Sequence, residues 1–505
     1  MNCTVQLKGR FTVTSTSFPD IDGAASRRFF ARRPAFALLA MTTLMACAQL
    51  PQEGARDGLR PIGSWAAGSS LNAQPRTWPG DQWWQTYGDQ QLDALVREAL
   101  QDSPSLQVAA ARLRQAEAGV GIARSANAPQ IGANANLNET KQSYNYLQPQ
   151  SSLPQGWNDY GRLTLDFSWE LDFWGRNRAS LAAATSTLEA QAAELMQSRL
   201  LLASSVAAGY AELNRLHANR DTALKALEIR VKTAELIAKR HANGLETRGG
   251  LRDADARRAM AEGQLLAVDE QLALQRNRLA ALLGAGPDRG QTITRPTLNL
   301  SSGFGLPSSL SADLLGRRPD VVAARLRAEA AAKRIDVAQA EFYPNVNLVG
   351  FIGVHSLGLD QLFKSGSDTG SVGPAISLPI FNGGRLKARY RASEAEYDTA
   401  VAQYNDTVTR ALHEVADNAV SQKALGQRLR KAEEAVEAAT EAHRVASNRY
   451  EGGLATYLEV LSAEDSLLGS LNARTNLQSL ALSLDIDLQR SLGGGYQVTR
   501  QIAQR

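Results

Sequence analysis

Cysteine is almost absent from this chain of 505 residues, and so are long apolar runs. No stretch reaches the roughly 18 uninterrupted apolar residues that a membrane-crossing helix requires, so no such helix is expected. Cys3 and Cys47 are the two cysteines, too few for a disulfide framework or a thiolate zinc site. The histidines His217, His241, His355, His413 and His443 are scattered singly, with no second histidine or cysteine at ligand spacing. No metal site is expected from them. Gly119-Val120-Gly121 lacks the third glycine of a nucleotide loop and follows no strand. With no constellation for nucleophilic or acid–base catalysis, the sequence reads as that of a non-enzyme without cofactor.

An excess of charge is also missing once the first segment is set aside. Residues 27–33 are a basic stretch, Arg27-Arg28-Phe29-Phe30-Ala31-Arg32-Arg33, followed by an apolar run over 34–46. Together they predict an export signal. The run ends Leu44-Met45-Ala46-Cys47, which resembles a bacterial lipobox, in which the cysteine is freed and acylated. Cys47 is the expected lipidation site, carrying diacylglycerol and an N-acyl chain. Ala48 is not the aspartate that commonly retains lipoproteins at the inner membrane, so outer-membrane sorting is expected. Ser26-Arg27-Arg28-Phe29-Phe30 also partly matches a twin-arginine signal, and the long leader before it leaves the true start open. Cleavage before Cys47 removes six of the 55 basic and two of the 51 acidic side chains, leaving 49 of each. The basic balance belongs to the signal, and nothing in the mature chain argues for nucleic acid.

What is present is said twice. Ser103-Pro104-Ser105-Leu106 answers Arg318-Pro319-Asp320-Val321, and Pro129-Gln130-Ile131 answers Pro344-Asn345-Val346, both at an offset of 215. Gly175-Arg176 then answers Gly384-Arg385 at 209, and Gly244-Leu245-Glu246-Thr247 answers Gly453-Leu454-Ala455-Thr456 at the same offset. Ordered landmarks with a single change of offset mark a duplicated domain. In each copy a helix begins after the proline, where proline suits the first turn. It runs over about 104–126 or 319–340. A hairpin follows, then a helix over 176–242 or 385–451, a Gly-Leu-x-Thr turn, and a return helix ending near Leu283 or Leu492. At 1.5 Å per residue the long helix spans about 100 Å. Leu181, Leu188, Leu195 and Leu202 recur every seven residues, as do Tyr390, Tyr397, Tyr404 and Ala411, predicting a coiled-coil seam.

The hairpins carry the second signal. In residues 163–171, Leu-Thr-Leu-Asp-Phe-Ser-Trp-Glu-Leu, every odd position is apolar and every even one polar. Nine alternating residues suit a membrane-spanning strand. Trp169, Phe173 and Trp174 gather at one end, as in an interfacial girdle. Ile376-Ser377-Leu378-Pro379-Ile380 is the matching strand of the second copy, with first strands around 130–137 and 345–352. Alternation fits a soluble half-buried sheet as well. Two hairpins cannot close a barrel, and an open edge cannot sit in lipid. Membrane strands therefore demand several chains around one barrel.

Further residues sharpen the pattern: Asp81-Gln82-Trp83-Trp84-Gln85-Thr86-Tyr87-Gly88-Asp89 before the first repeat, Arg317-Arg318-Pro319-Asp320, Phe342-Tyr343-Pro344, and the tip from Arg449-Tyr450-Glu451 through Gly453-Leu454-Ala455-Thr456 to Leu461. Across about 81–495 the chain resembles the TolC-like outer-membrane efflux proteins, in particular the lipoprotein branch of the OprM/NodT type. The resemblance implies a mainly α fold with a membrane β-barrel. It would be a homotrimer with a twelve-stranded barrel, four strands per chain, continuous with a periplasmic α-helical coiled-coil tunnel. It divides the chain into a signal peptide (1–46), an N-terminal anchor and equatorial segment (47–91), a first repeat (92–284), a linker (285–311), a second repeat (312–493) and a tail (494–505). It further implies a periplasmic adaptor, an inner-membrane transporter of the resistance-nodulation-division (RND) type, outer-membrane lipid around the barrel, and export of small toxic compounds.

In that family the second repeat's inner helices converge at the periplasmic end. Carried onto this sequence, Arg449, Tyr450, Glu459, Ser462, Glu464 and Asp465 are the candidate gate. Acidic groups brought together by threefold symmetry repel unless paired, which makes such a ring both a cation filter and a lever for opening. Relatives often carry aspartate at the place of Ser462. Gly244, Leu245, Thr247, Gly453, Leu454 and Thr456 are the candidate adaptor-docking tips, although the glycines also read as plain helix caps. Gly249-Gly250 stands where the second copy has Leu458-Glu459, so a looser first return helix is expected. Two other readings stay open: the channel of a type I protein-secretion system, and a lipid-anchored periplasmic coiled-coil protein.

Overall fold

The computed structural model describes residues 58–61, 64, 65, 71, 74–145, 149–298, 305–307 and 310–497; Cys47 and the expected signal lie outside the described residues. Helix α1 (Gln90–Asp102) buries Leu92, Leu95, Val96 and Ala99, one helical stripe. Asp89 caps it by accepting from the Gln91 and Leu92 amides at 2.8 and 3.2 Å. Helix α2 (Pro104–Ser125) opens on proline and leads into the antiparallel pair β1 (Gln130–Thr140) and β2 (Asn158–Glu170). Gly175, in the left-handed region, turns the chain into α3 (Arg176–Ala242), and α4 (Arg248–Leu282) returns. After the short helices α5 (Asp288–Gln291) and α6 (Leu310–Arg317), the pattern repeats as α7 (Pro319–Ala340), β3 (Asn345–Leu357), β4 (Asp368–Ser377), α8 (Arg385–Glu451) and α9 (Tyr457–Ser491).

Both long helices have 67 residues and both return helices 35. The glycines at 249 and 250 therefore do not shorten α4. The four strands form one sheet in the order β1-β2-β3-β4, all antiparallel. β4 differs from expectation: it begins at Asp368 and stops at Ser377, short of Leu378, Pro379 and Ile380. Pro379 has no amide to give to a ladder. β1 and β3 run on to Thr140 and Leu357, longer than expected.

The heptad seam is unequal between the copies. Tyr390, Tyr404 and Ala411 are buried, but of the leucines only Leu202 is fully buried. On α3 the closest packing falls to Ala190 and Ala193, set against Val322, Ala323 and Leu326 of α7. Alanine admits this close approach, so α7 wedges between both long helices. Gly209 does the same for α4: a Cβ there would lie 3.0 Å from Leu279 Cδ2, and its carbonyl accepts from Gln275 Nε2 at 2.8 Å. The largest apolar cluster joins Trp83, Trp84 and Tyr87 to α1, α3, α4 and α9. Tyr87 donates to Asp485 at 2.8 Å and Arg76 pairs with the same carboxylate at 3.1 Å. The segment before the first repeat is thus locked to the end of the second.

Candidate functional site

Two regions concentrate unusual chemistry: the turns at the far end of the long helices, and the faces of the sheet.

Gly244 and Gly453 adopt φ of 72° and 73°, which lets the Leu245 and Leu454 amides reach back to the carbonyls of Arg240 and Arg449 at 2.8 and 2.7 Å. Leu245, Leu454 and Leu458 are left 65%, 74% and 73% exposed, so the tip is apolar and open. Thr456 begins α9 with a capping box in which Glu459 accepts from the Thr456 amide at 3.0 Å. This hydrogen bond, with Arg449 at 3.8 Å, holds the Glu459 carboxyl below its ordinary range. Gly250 occupies the equivalent place in the first tip, so Thr247 accepts from the Gly250 amide at 3.0 Å without a reciprocal partner. Glu246 instead takes the Thr247 amide at 2.8 Å.

The two repeats are stitched together just above these turns. Tyr450 donates to Glu246 at 2.7 Å, its ring lies 4.4 Å from the Arg240 guanidinium, and Arg240 donates to its carbonyl at 3.0 Å. Burial first, then the Glu246 carboxylate, pushes the Tyr450 hydroxyl well up, so it stays a donor at physiological pH. Nearly three turns along α3 from Arg240, Arg230 meets Glu464 of α9 at 3.0 Å and Asp465 at 2.5 Å. Thr233 donates to Glu464 at 3.3 Å, and Arg257 approaches Asp465 at 3.7 Å. Glu464 is wholly buried and the Arg230 side chain is 10% exposed. Their contact is an ion pair without hydrogen-bond alignment: Glu464 Oε1 and Arg230 Nη1 are buried with no hydrogen-bond partner among the described residues. Such a half-satisfied buried pair is costly to keep.

Among the expected gate residues, then, Tyr450, Glu464 and Asp465 join one inter-repeat network. Arg449 and Glu459 stay at the tip, while Ser462 is exposed on α9. The network partners Arg230, Thr233, Arg240, Glu246 and Arg257 all come from the first repeat, where the family resemblance places no gate residue. His443 was set aside as solitary; burial and the nearby Arg230 charge lower its pKa.

Burial raises the Glu464 pKa above its ordinary 4.5, against the opposing pull of Arg230 and Thr233. The packed arrangement therefore binds this proton more tightly than an opened one, so acidification favours packing. The gain builds as pH falls through the raised value and is complete below about 4.5. Amide exchange in the first half of α9, corrected for intrinsic rates, should slow as pH falls from 7 towards 4.5 in the wild type. In Glu464→Gln this slowing should disappear. A wild-type rate independent of pH would refute the linkage.

The sheet has two unlike faces. Register puts Ile131, Ala133, Ala135 and Leu137 of β1 level with Phe167, Leu165 and Leu163 of β2. These align with Gly350, Ile352 and Val354 of β3, and those with Val372, Gly370 and Asp368 of β4. Apart from Asp368 at its loop end this face is apolar, yet Ile131, Leu165, Ile352, Val372 and Ile376 are 52–78% exposed. The opposite face carries Asn134, Asn136, Arg162, Thr164, Asp166 and Asn347. Asn134 donates to Asp166 at 2.7 Å across the strands. Aromatic side chains lie at both strand ends: Trp169, Phe173 and Trp174 near the helices, Trp157 and Phe363 near the loops. β1 and β4 each leave one edge unpaired within the chain.

A family model described as outer membrane efflux protein matches residues 95–285 and 310–494. The chain belongs to the outer membrane efflux protein family. Its members are channels and not enzymes, and their place is the outer membrane. The fusaric acid resistance protein FusA of Burkholderia cepacia is 37% identical over 369 residues, 72% of this chain and 69% of the relative. The multidrug resistance outer membrane protein MdtP of Escherichia coli K12 is 32% identical over 434 residues, 83% of this chain and 87% of the relative. The crystal structure of the outer membrane protein VceC of Vibrio cholerae covers 83% of this efflux protein and 100% of its own chain. Its TM-score is 0.79, with 50% identity.

Proposed function

We propose that this outer membrane efflux protein is the exit duct of a tripartite efflux system. The apolar sheet face with its two open edges carries the reading. Exposed apolar surface of this extent marks a membrane or protein interface, the aromatic residues at both strand ends favour the membrane, and open edges in lipid need partners. Three copies, each contributing four strands, would close a twelve-stranded barrel with the apolar face outward and the Asn134–Asp166 face lining the pore. Trp157 and Trp169 stand twelve residues apart, about 40 Å of strand. At the tilt of barrel strands this spans about 30 Å of membrane, matching aromatic girdles on both sides of an apolar band. The helices, about 100 Å long, would then form the periplasmic tunnel. The exposed Leu245 and Leu454 tips, with Gly244, Thr247, Gly453 and Thr456, are the proposed docking points for a periplasmic adaptor, itself coupled to an inner-membrane RND-type pump. The Arg230–Glu464–Asp465 and Tyr450–Glu246 contacts are the proposed closure of the tunnel, with Arg449 and Glu459 at its rim.

The relatives are named for resistance to fusaric acid and to multiple drugs, which favours small toxic molecules over secreted proteins as cargo. A deletion strain should become sensitive to fusaric acid or to members of a drug panel and regain tolerance on complementation. Unchanged susceptibility across the panel, with loss of a secreted protein, would favour the protein-secretion reading.

Lipidation of Cys47 is part of the same proposal. Cys47→Ser should abolish incorporation of labelled palmitate and leave an uncleaved, heavier precursor on gels. Full labelling of that variant would place the lipid elsewhere.

A further inference from the structure

The turns that lead from sheet to long helix have diverged between the copies in a directed way. In the first, Arg176 pairs with Glu170 at 2.5 Å and Arg178 with Asp172 at 3.3 Å. At the 209 offset these cations become Arg385 and Lys387, but the two carboxylates become Pro379 and Phe381. Ser180 and Ala182 become Arg389 and Arg391. The second copy has neither acid and two further bases, so α8 opens with four exposed cations in seven residues and no acid in its first turn. Arg389 pairs with Glu341 at 2.9 Å; among the described residues Arg385, Lys387 and Arg391 make no ion pair. Cations at this end of a helix work against its macrodipole, so helix stability does not explain them.

Their surroundings do. Immediately before them Leu378, Ile380 and Phe381 are 36%, 54% and 91% exposed, continuing the apolar side of Val372 and Ile376 beyond the strand. Arg385 and Arg389 border a cavity of about 300 Å³ that Trp174, Tyr343 and Pro379 also line, together with the carboxylates of Glu170, Asp172 and Glu341, whereas Lys387 and Arg391 stand outside it. Trp174 stacks on Tyr343 at 4.7 Å there. An apolar collar, a ring of aromatics and then unpaired cations is the order of environments across a lipid leaflet, from acyl chain to headgroup.

We propose that the β4–α8 junction binds an anionic glycerophospholipid of the leaflet nearer the long helices. Its acyl chains lie along Ile376, Leu378, Ile380 and Phe381, and its phosphodiester is held by Lys387 and Arg391, which stand one turn apart on the same face of α8. The first-copy junction, with its cations already neutralised, does not bind one. The site rests on the membrane reading of the sheet, because only an embedded collar brings acyl chains to it.

The test uses the full chain inserted into phosphatidylcholine vesicles with or without phosphatidylglycerol, then released in mild detergent for native mass spectrometry of retained lipid. The wild type should keep phosphatidylglycerol in preference to phosphatidylcholine, and the preference should shrink as salt rises. Lys387→Gln and Arg391→Gln should each lower it roughly fivefold, the effect of about one cation at an anionic surface. Arg178→Gln in the first copy should leave it unchanged. Equal retention of both lipids by the wild type, or a preference insensitive to salt and to both substitutions, overturns the site while leaving the membrane reading intact. Failure of the wild type to insert into either vesicle overturns the membrane reading and the site with it.

Discussion

Arg230→Ala is expected to loosen the tunnel end by about 3 kcal/mol. The substitution strands Glu464, whose side chain is wholly buried, and removing one partner of a buried pair costs roughly 3–5 kcal/mol. Protonation caps the penalty: neutralising a carboxyl of ordinary pKa 4.5 at pH 7 costs about 3.4 kcal/mol, at about 1.36 kcal/mol per pH unit. Asp465 loses its 2.5 Å partner as well, but it is exposed and adds little. In reconstituted bilayers the variant should conduct more than the wild type and open more often. Cells carrying it should admit large antibiotics that the wild type excludes. Adding Glu464→Leu should restore much of the closure, because an apolar pair replaces a buried charge at little cost. Wild-type conductance in Arg230→Ala would remove this contact from the gate.

Leu165→Arg should be as damaging at the other end. Leu165 sits mid-strand between Ala133 and Ile352, on the face proposed to meet lipid. An arginine at the bilayer midplane costs about 2–4 kcal/mol per copy, and the proposed trimer would carry three. The heat-resistant oligomer should vanish from outer-membrane fractions. Asn136→Arg, on the opposite face, should assemble normally and alter only conductance. Equal tolerance of both substitutions would show that the faces do not divide lipid from water.

These two sites were not equally legible in the sequence. The long helices and first hairpin could be read nearly to their ends, because duplicated landmarks fix boundaries that propensity alone leaves loose. β4 was misplaced because its alternation is interrupted by Gly370, Gly373 and Pro374, whereas the apolar Ile376 to Ile380 stretch lies mostly beyond the ladder. The heptad leucines of α3 were overvalued: with α7 wedged alongside, alanine packs closer than leucine can.

At the tips, Tyr450, Glu464 and Asp465 were legible from the second copy alone, but their partners were not, since each contact crosses between repeats 200 or more residues apart. A usable signal did exist. At the 209 offset Arg230 corresponds to Ala439 and Asp253 to Ser462, so charges present in one copy only mark where the duplicated halves meet asymmetrically. The same comparison shows Pro379 and Phe381 before Arg385 and Lys387 where Glu170 and Asp172 precede Arg176 and Arg178.

The central claim is that the sheet closes only with other copies of itself. Cysteines placed at Asn134 in β1 and Gly373 in β4, on the two open edges, should cross-link between chains when the full protein is oxidised in native outer membranes. The account predicts a ladder of one, two and three chains and nothing larger. Monomer alone, or a ladder running past three, would contradict it.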